Sequence, residues 1–134
     1  MDARVYINLI EEALMSKPEP HRVIADYQSP YPDPIIFDKG ETVTVGKEFT
    51  ADPDWKGWVW CEGHHDNRAW VPKQYLEIKG DWGTFNTDYN ALELSVKVGE
   101  MLAIYSIVNG FGMAERQTGE RGWVPMKCLE PEEK

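Results

Sequence analysis

Trp70-Val71-Pro72-Lys73-Gln74-Tyr75-Leu76-Glu77 returns near the end of the chain as Trp123-Val124-Pro125-Met126-Lys127-Cys128-Leu129-Glu130. The two stretches share a Trp-Val-Pro opening and a Leu-Glu close. Upstream of each lies a Gly-Glu turn, Gly40-Glu41 and Gly99-Glu100. The first turn launches Thr42-Val43-Thr44-Val45, β-branched throughout, and the second launches Met101-Leu102-Ala103-Ile104. The β-branched run fits a pleated, half-buried strand rather than a helix, and the second stretch holds the same place after its turn. The chain therefore holds one small β module written twice.

Around this repeat the chain reads as short strands and turns. His21–Ala25 is a strand, and Gln28–Pro34 is a loop with proline at Pro30, Pro32 and Pro34. Asp52-Pro53-Asp54 turns the chain before Trp58-Val59-Trp60-Cys61. Glu62–Asn67 is a polar hairpin tip, and Arg68–Val71 is the next strand. Five strands in so short a span predict a small barrel. The second copy follows the same order from Trp82 to Glu130 with shorter loops, where deletions are tolerated. Residues 2–15 carry Tyr6, Leu9, Ile10, Ala13 and Leu14 at helical spacing, and Pro18 and Pro20 end that pattern. An amphipathic helix is expected there, packed on the barrels or offering a face for self-association. The expected organisation is residues 1–20 as helix and proline linker, 21–79 as a first barrel and 80–131 as a second. The step Lys79-Gly80-Asp81 is short enough to fix the two barrels relative to one another.

Composition narrows the function. Of 134 residues, 42% are hydrophobic and six are tryptophan, which marks a folded chain with a large aromatic load. The formal charge is −9, from 14 basic and 23 acidic residues, and no segment is basic. Nucleic acid is an unfavourable partner for such a surface, whereas a partner carrying Lys or Arg suits it. Cys61 and Cys128 stand at non-equivalent positions and form no disulfide framework. The N-terminus lacks a secretory pattern and no apolar run is long enough for a bilayer, so a soluble cytoplasmic protein is expected. No phosphate loop, nucleophile elbow or zinc-peptidase motif is present, so the expectation is a non-enzyme without a cofactor. Cys61, His64 and His65 have the makings of a zinc ligand set, but the adjacent histidines read more simply as solvated turn residues.

The ordered pieces resemble the Src-homology-3 (SH3) family, over residues 21–78 and, more loosely, 82–130. Val23-Ile24-Ala25-Asp26-Tyr27 is similar to that family's Ala-Leu-Tyr-Asp-Tyr strand end. Phe37-Asp38-Lys39-Gly40-Glu41 is similar to its diverging turn, Trp58-Val59-Trp60-Cys61 to the strand opened by its binding tryptophan, and Ala69 to Leu76 to its closing segment. The resemblance implies an all-β chain: two five-stranded SH3-like barrels in tandem after a short N-terminal helix. It also implies a protein–protein interaction module that docks proline-containing, basic, extended segments, since a preformed polyproline helix loses little entropy on binding. Carried over by position, the groove of the first copy would use Tyr27, Trp58, Pro72 and Tyr75, with Asp33 as the charge partner of a ligand cation. Trp55 competes with Trp58 for the exposed ring. Trp58→Ala is then expected to abolish binding at little cost in stability. The second copy is degenerate: Tyr89 and Pro125 are kept, Phe111 replaces the tryptophan and Cys128 the last tyrosine. The rival reading is a structural or self-assembling protein whose barrels pack on each other or on the helix and bind no free peptide.

Overall fold

The computed structural model describes residues 18–132, and the helix expected over residues 2–15 lies outside them. The described chain is all-β. Its strands are β1 (Glu19–Val23), β2 (Ile36–Phe37), β3 (Thr42–Glu48), β4 (Trp58–Glu62), β5 (Arg68–Pro72) and β6 (Leu76–Lys79). They continue as β7 (Trp82–Phe85), β8 (Tyr89–Asn90), β9 (Met101–Val108), β10 (Phe111–Glu115), β11 (Arg121–Pro125) and β12 (Leu129–Pro131).

Two five-stranded antiparallel sheets form, but they do not follow the linear boundaries of the repeats. The first has the order β5-β4-β3-β7-β6 and the second β11-β10-β9-β1-β12. Strand β7 belongs by sequence to the second repeat and lies in the first barrel. Strand β1 belongs to the first repeat and lies in the second barrel. The boundaries near residues 20 and 80 thus separate the repeats, while the barrels exchange their opening strands across them.

The cause is local. Lys79 pairs with Trp82 across Gly80 and Asp81, and Gly80 takes a φ of +60°. A Gly-Asp pair between two strands makes a tight hairpin, not a linker. Strand β7 therefore folds back on β6 at once, with Ile78 opposite Gly83 and Leu76 opposite Phe85, and also pairs with β3 through Thr42 and Thr84. Closing a two-residue turn costs far less chain entropy than bringing β1 back across the whole first repeat. With its place taken, β1 sits between β9 and β12, matching His21 to Leu102 and to Pro131.

The exchange makes two connectors cross from barrel to barrel, and they run antiparallel beside each other. Tyr27 and Val96 exchange backbone hydrogen bonds of 2.9 Å, Glu93 N donates to Tyr31 O and Ala91 N to Ile35 O. The ribbon ends where β2 meets β8, with Phe37 opposite Tyr89. Each barrel keeps its own core. The first is aromatic, around Phe37, Trp58, Phe85 and Tyr89, and runs on into Phe111 and Trp123 of the other barrel. The second is aliphatic, around Val23, Val96, Leu102, Ile104, Val124 and Leu129.

Candidate functional site: the seam between the barrels

The barrels meet on the faces where the SH3 resemblance locates binding grooves. Pro72 lies opposite Trp58 in the β4–β5 pair, and Pro125 opposite Phe111 in the β10–β11 pair. These two equivalent positions touch: the Trp58 and Phe111 rings are 5.2 Å apart at 73°, an edge-to-face contact. Trp58 also meets Trp123 at 6.2 Å, and its Nε1 donates to Asn109 O at 2.9 Å.

Two glycines allow this approach. Gly57 and Gly110, each just before its aromatic residue, have φ of +92° and +85°. A Cβ on Gly110 would stand 2.5 Å from Asp54 O, and one on Gly57 would stand 2.7 Å from Asn109 Nδ2. Asn109 closes the same edge: its Nδ2 donates to Gly57 O at 2.9 Å and to Gln74 Oε1 at 3.0 Å, while its Oδ1 accepts from Gln74 Nε2 at 3.0 Å. At the rim Lys127 reaches Asp52 at 2.7 Å and stands 4.2 Å over the Trp55 ring. That hydrogen bond holds the Asp52 carboxyl below its ordinary range and lifts Lys127.

Beside this contact lies a cavity of about 280 Å³. The first barrel and its connector give it Tyr27, Tyr31, Phe49, Trp55, Trp58 and Trp70. The second connector and barrel give it Tyr89, Glu93, Phe111 and Trp123. Glu93 is the one carboxylate and Arg68 the one cation among the lining residues. Glu93 Oε1 accepts from Tyr27 Oη at 2.5 Å and from Ser29 Oγ at 3.3 Å. Burial raises the Glu93 carboxyl above its usual range, and the two hydroxyls offset part of that. Burial, reinforced by the Glu93 bond, holds the Tyr27 phenol well above its ordinary value.

The sequence-derived positions divide accordingly. Tyr27, Trp58, Tyr89 and Phe111 line the cavity. Tyr27 does not share a barrel with Trp58, Pro72 and Tyr75. The exchange moves it onto the aliphatic core of the second barrel, and Tyr89 stands in its stead, 5.5 Å from Tyr75. Pro72 and Pro125 are fully buried, Tyr75 is half-buried and Asp33 is exposed. Trp58 is only 6% exposed, so of the two competing rings Trp55 is the more accessible. Cys61 points inward, its thiol pushed up to about 12 by burial, away from the exposed His64 and His65. No three His, Cys, Asp or Glu side chains converge on one point among the described residues. Sequence reasoning missed Glu93, which has no groove position of its own and gains its role only because the connectors pair.

The model of the variant SH3 domain matches residues 20–79 and 84–132. The chain belongs to that family, with two copies in tandem, the second degenerate. Members of this family are protein-interaction modules. A comparison with curated proteins finds no match. No described helix is long and apolar enough to cross a membrane.

Proposed function

We propose that the chain docks an extended, proline-containing, basic segment of a partner protein along the seam between its barrels, not in a groove of the first barrel alone. The observation that carries this is the aromatic cavity, built from both repeats and holding one carboxylate. The exposed Asp33 lies on the connector that supplies Tyr31 and Pro30 to the cavity. The overall charge of −9 favours a basic partner. Of the lining rings, Tyr31 is 40% exposed and open to a ligand. The test is titration of proline-containing peptides, with and without Arg or Lys, against the full chain. Tyr31→Ala should weaken binding about tenfold, as loss of an aromatic anchor does. Asp33→Asn should weaken it less, and mainly at low salt. Peptide affinity unchanged in Tyr31→Ala defeats the seam assignment.

The mutual burial of Trp58 and Phe111 favours a second reading, in which the groove positions serve only to hold the barrels together. Under it no peptide binds. Self-association through residues 2–15 belongs to the same reading, and light scattering at two concentrations, with and without residues 1–17, tests it.

A further inference from the structure

We infer that the cavity between the barrels is a binding site for a methylated ammonium group. Aromatic walls attract cations through their ring quadrupoles, and the attraction grows where water is excluded. This cavity joins such walls to a single carboxylate, Glu93. Its Oε1 takes both the Tyr27 and Ser29 hydroxyls, leaving Oε2 with no hydrogen-bond partner among the described residues. Arg68, the one lining cation, is exposed and lies 3.8 Å from Asp66, so its charge is screened by water and by that carboxylate.

The donors and acceptors of the cavity together decide which ligand fits. Tyr27 donates to Glu93, Trp58 to Asn109 O, Trp70 to Tyr31 Oη, Tyr89 to Trp70 O and Trp123 to Asn90 O. Five ring residues have thus already committed their polar hydrogens within the protein and ask for no acceptor from a ligand, while Glu93 is the only charged acceptor in the lining. A primary ammonium or a guanidinium entering here would need three or more acceptors for its own hydrogens and would lose their hydration. A quaternary ammonium has none to satisfy. It needs apolar contact, aromatic walls and one counter-charge, and the lining supplies these, the Trp55 ring already holding the Lys127 ammonium at 4.2 Å. The volume, about 280 Å³, is at the lower end of ligand pockets, roughly 300–1,000 Å³, and suits a compact head group.

The inference deepens the docking reading by naming the chemistry of the inserted group, yet its test needs no partner. The intact chain is titrated with choline, its neutral isostere 3,3-dimethylbutan-1-ol and the primary amine ethanolamine, followed by tryptophan fluorescence. Choline should bind saturably and about tenfold more tightly than either analogue. Glu93→Gln, checked for an unchanged melt, should bring choline down to the level of the isostere. No saturable choline binding, an equally good isostere, an equally good ethanolamine or indifference to Glu93→Gln would each overturn the assignment. An acetylated trimethyllysine amide, run beside choline, distinguishes a modified side chain from a free solute as the source: the better binder identifies it. Choline binding without peptide binding sinks the docking reading alone. Equal binding of methylated and unmethylated basic peptides, with none of choline, sinks this inference alone.

Discussion

The first barrel is one unbroken stretch of chain, β3 to β7, whereas the second is split, with β1 before the first barrel and β9 to β12 after it. The contiguous barrel carries the aromatic core that runs into the seam, and the split barrel closes on an aliphatic core of its own. Two copies of one module have thus become an inner and an outer domain. The difference shows that a tight turn at a junction redistributes strands between repeats while each barrel still forms a five-stranded sheet on its own core.

One buried thiol in each barrel, Cys61 in β4 and Cys128 beside β12, lets this contrast be read barrel by barrel. The largest effect is expected from removing the chain through Val23. The outer barrel then loses the strand between β9 and β12, together with a fully buried valine. Cys128 should become reactive toward a thiol reagent while Cys61 stays protected. The reverse pattern would mean that β1 serves the inner barrel. Next, Trp58→Ala should cost about 3–5 kcal/mol in urea melts, the range for deleting a large buried aromatic side chain. This replaces the expectation that the change is mild: the ring is not an open groove wall. A loss near 1 kcal/mol would restore the groove picture.

Gly110→Ala tests the seam itself, since the added Cβ meets Asp54 O. It should cost about 1–3 kcal/mol from the left-handed backbone, plus the price of parting the barrels. Gly119, at φ +96° with nothing within 4 Å, gives the backbone cost alone. A split unfolding transition in Gly110→Ala and a single one in Gly119→Ala is the expected result. The smallest effect concerns Glu93. Burial holds its carboxyl above the ordinary 4.5, so the folded chain binds that proton more tightly than the unfolded one. The resulting stability is complete below the ordinary value and is lost as pH rises through the raised one. Glu93→Gln should flatten this decline and otherwise change stability by less than about 1 kcal/mol, measured as melts across that pH range.

The doubled barrel was legible because its signals are local. Gly40-Glu41, Gly99-Glu100 and the β-branched run after Gly40 dictate turns and strands wherever those strands finally pair. Strand exchange was not legible from the repeats, because β1 and β7 make equivalent contacts in either barrel. Its one sequence signal was Gly80-Asp81, read as a linker although that pair between two strands favours a hairpin. At the site, Tyr27, Trp58, Tyr89 and Phe111 were marked by their repeat positions. Glu93 was not, since its partners Tyr27 and Ser29 lie 66 and 64 residues away and reach it only across the exchanged connectors.

The placement of β1 also sets the order in which the protein can be built. As the chain leaves the ribosome, the inner barrel has all five strands once Phe85 is made. The outer barrel cannot close until Pro131 is made, when Arg22 meets Glu130 across 108 residues. Throughout that interval β1 lacks at least one of its two partner strands, and before β7 is made the incomplete inner barrel is a competing host for it. The first strand of the described chain to be synthesised thus waits for partners made some eighty to a hundred residues later, and translation speed between Glu19 and Phe85 bears on whether it finds the right ones.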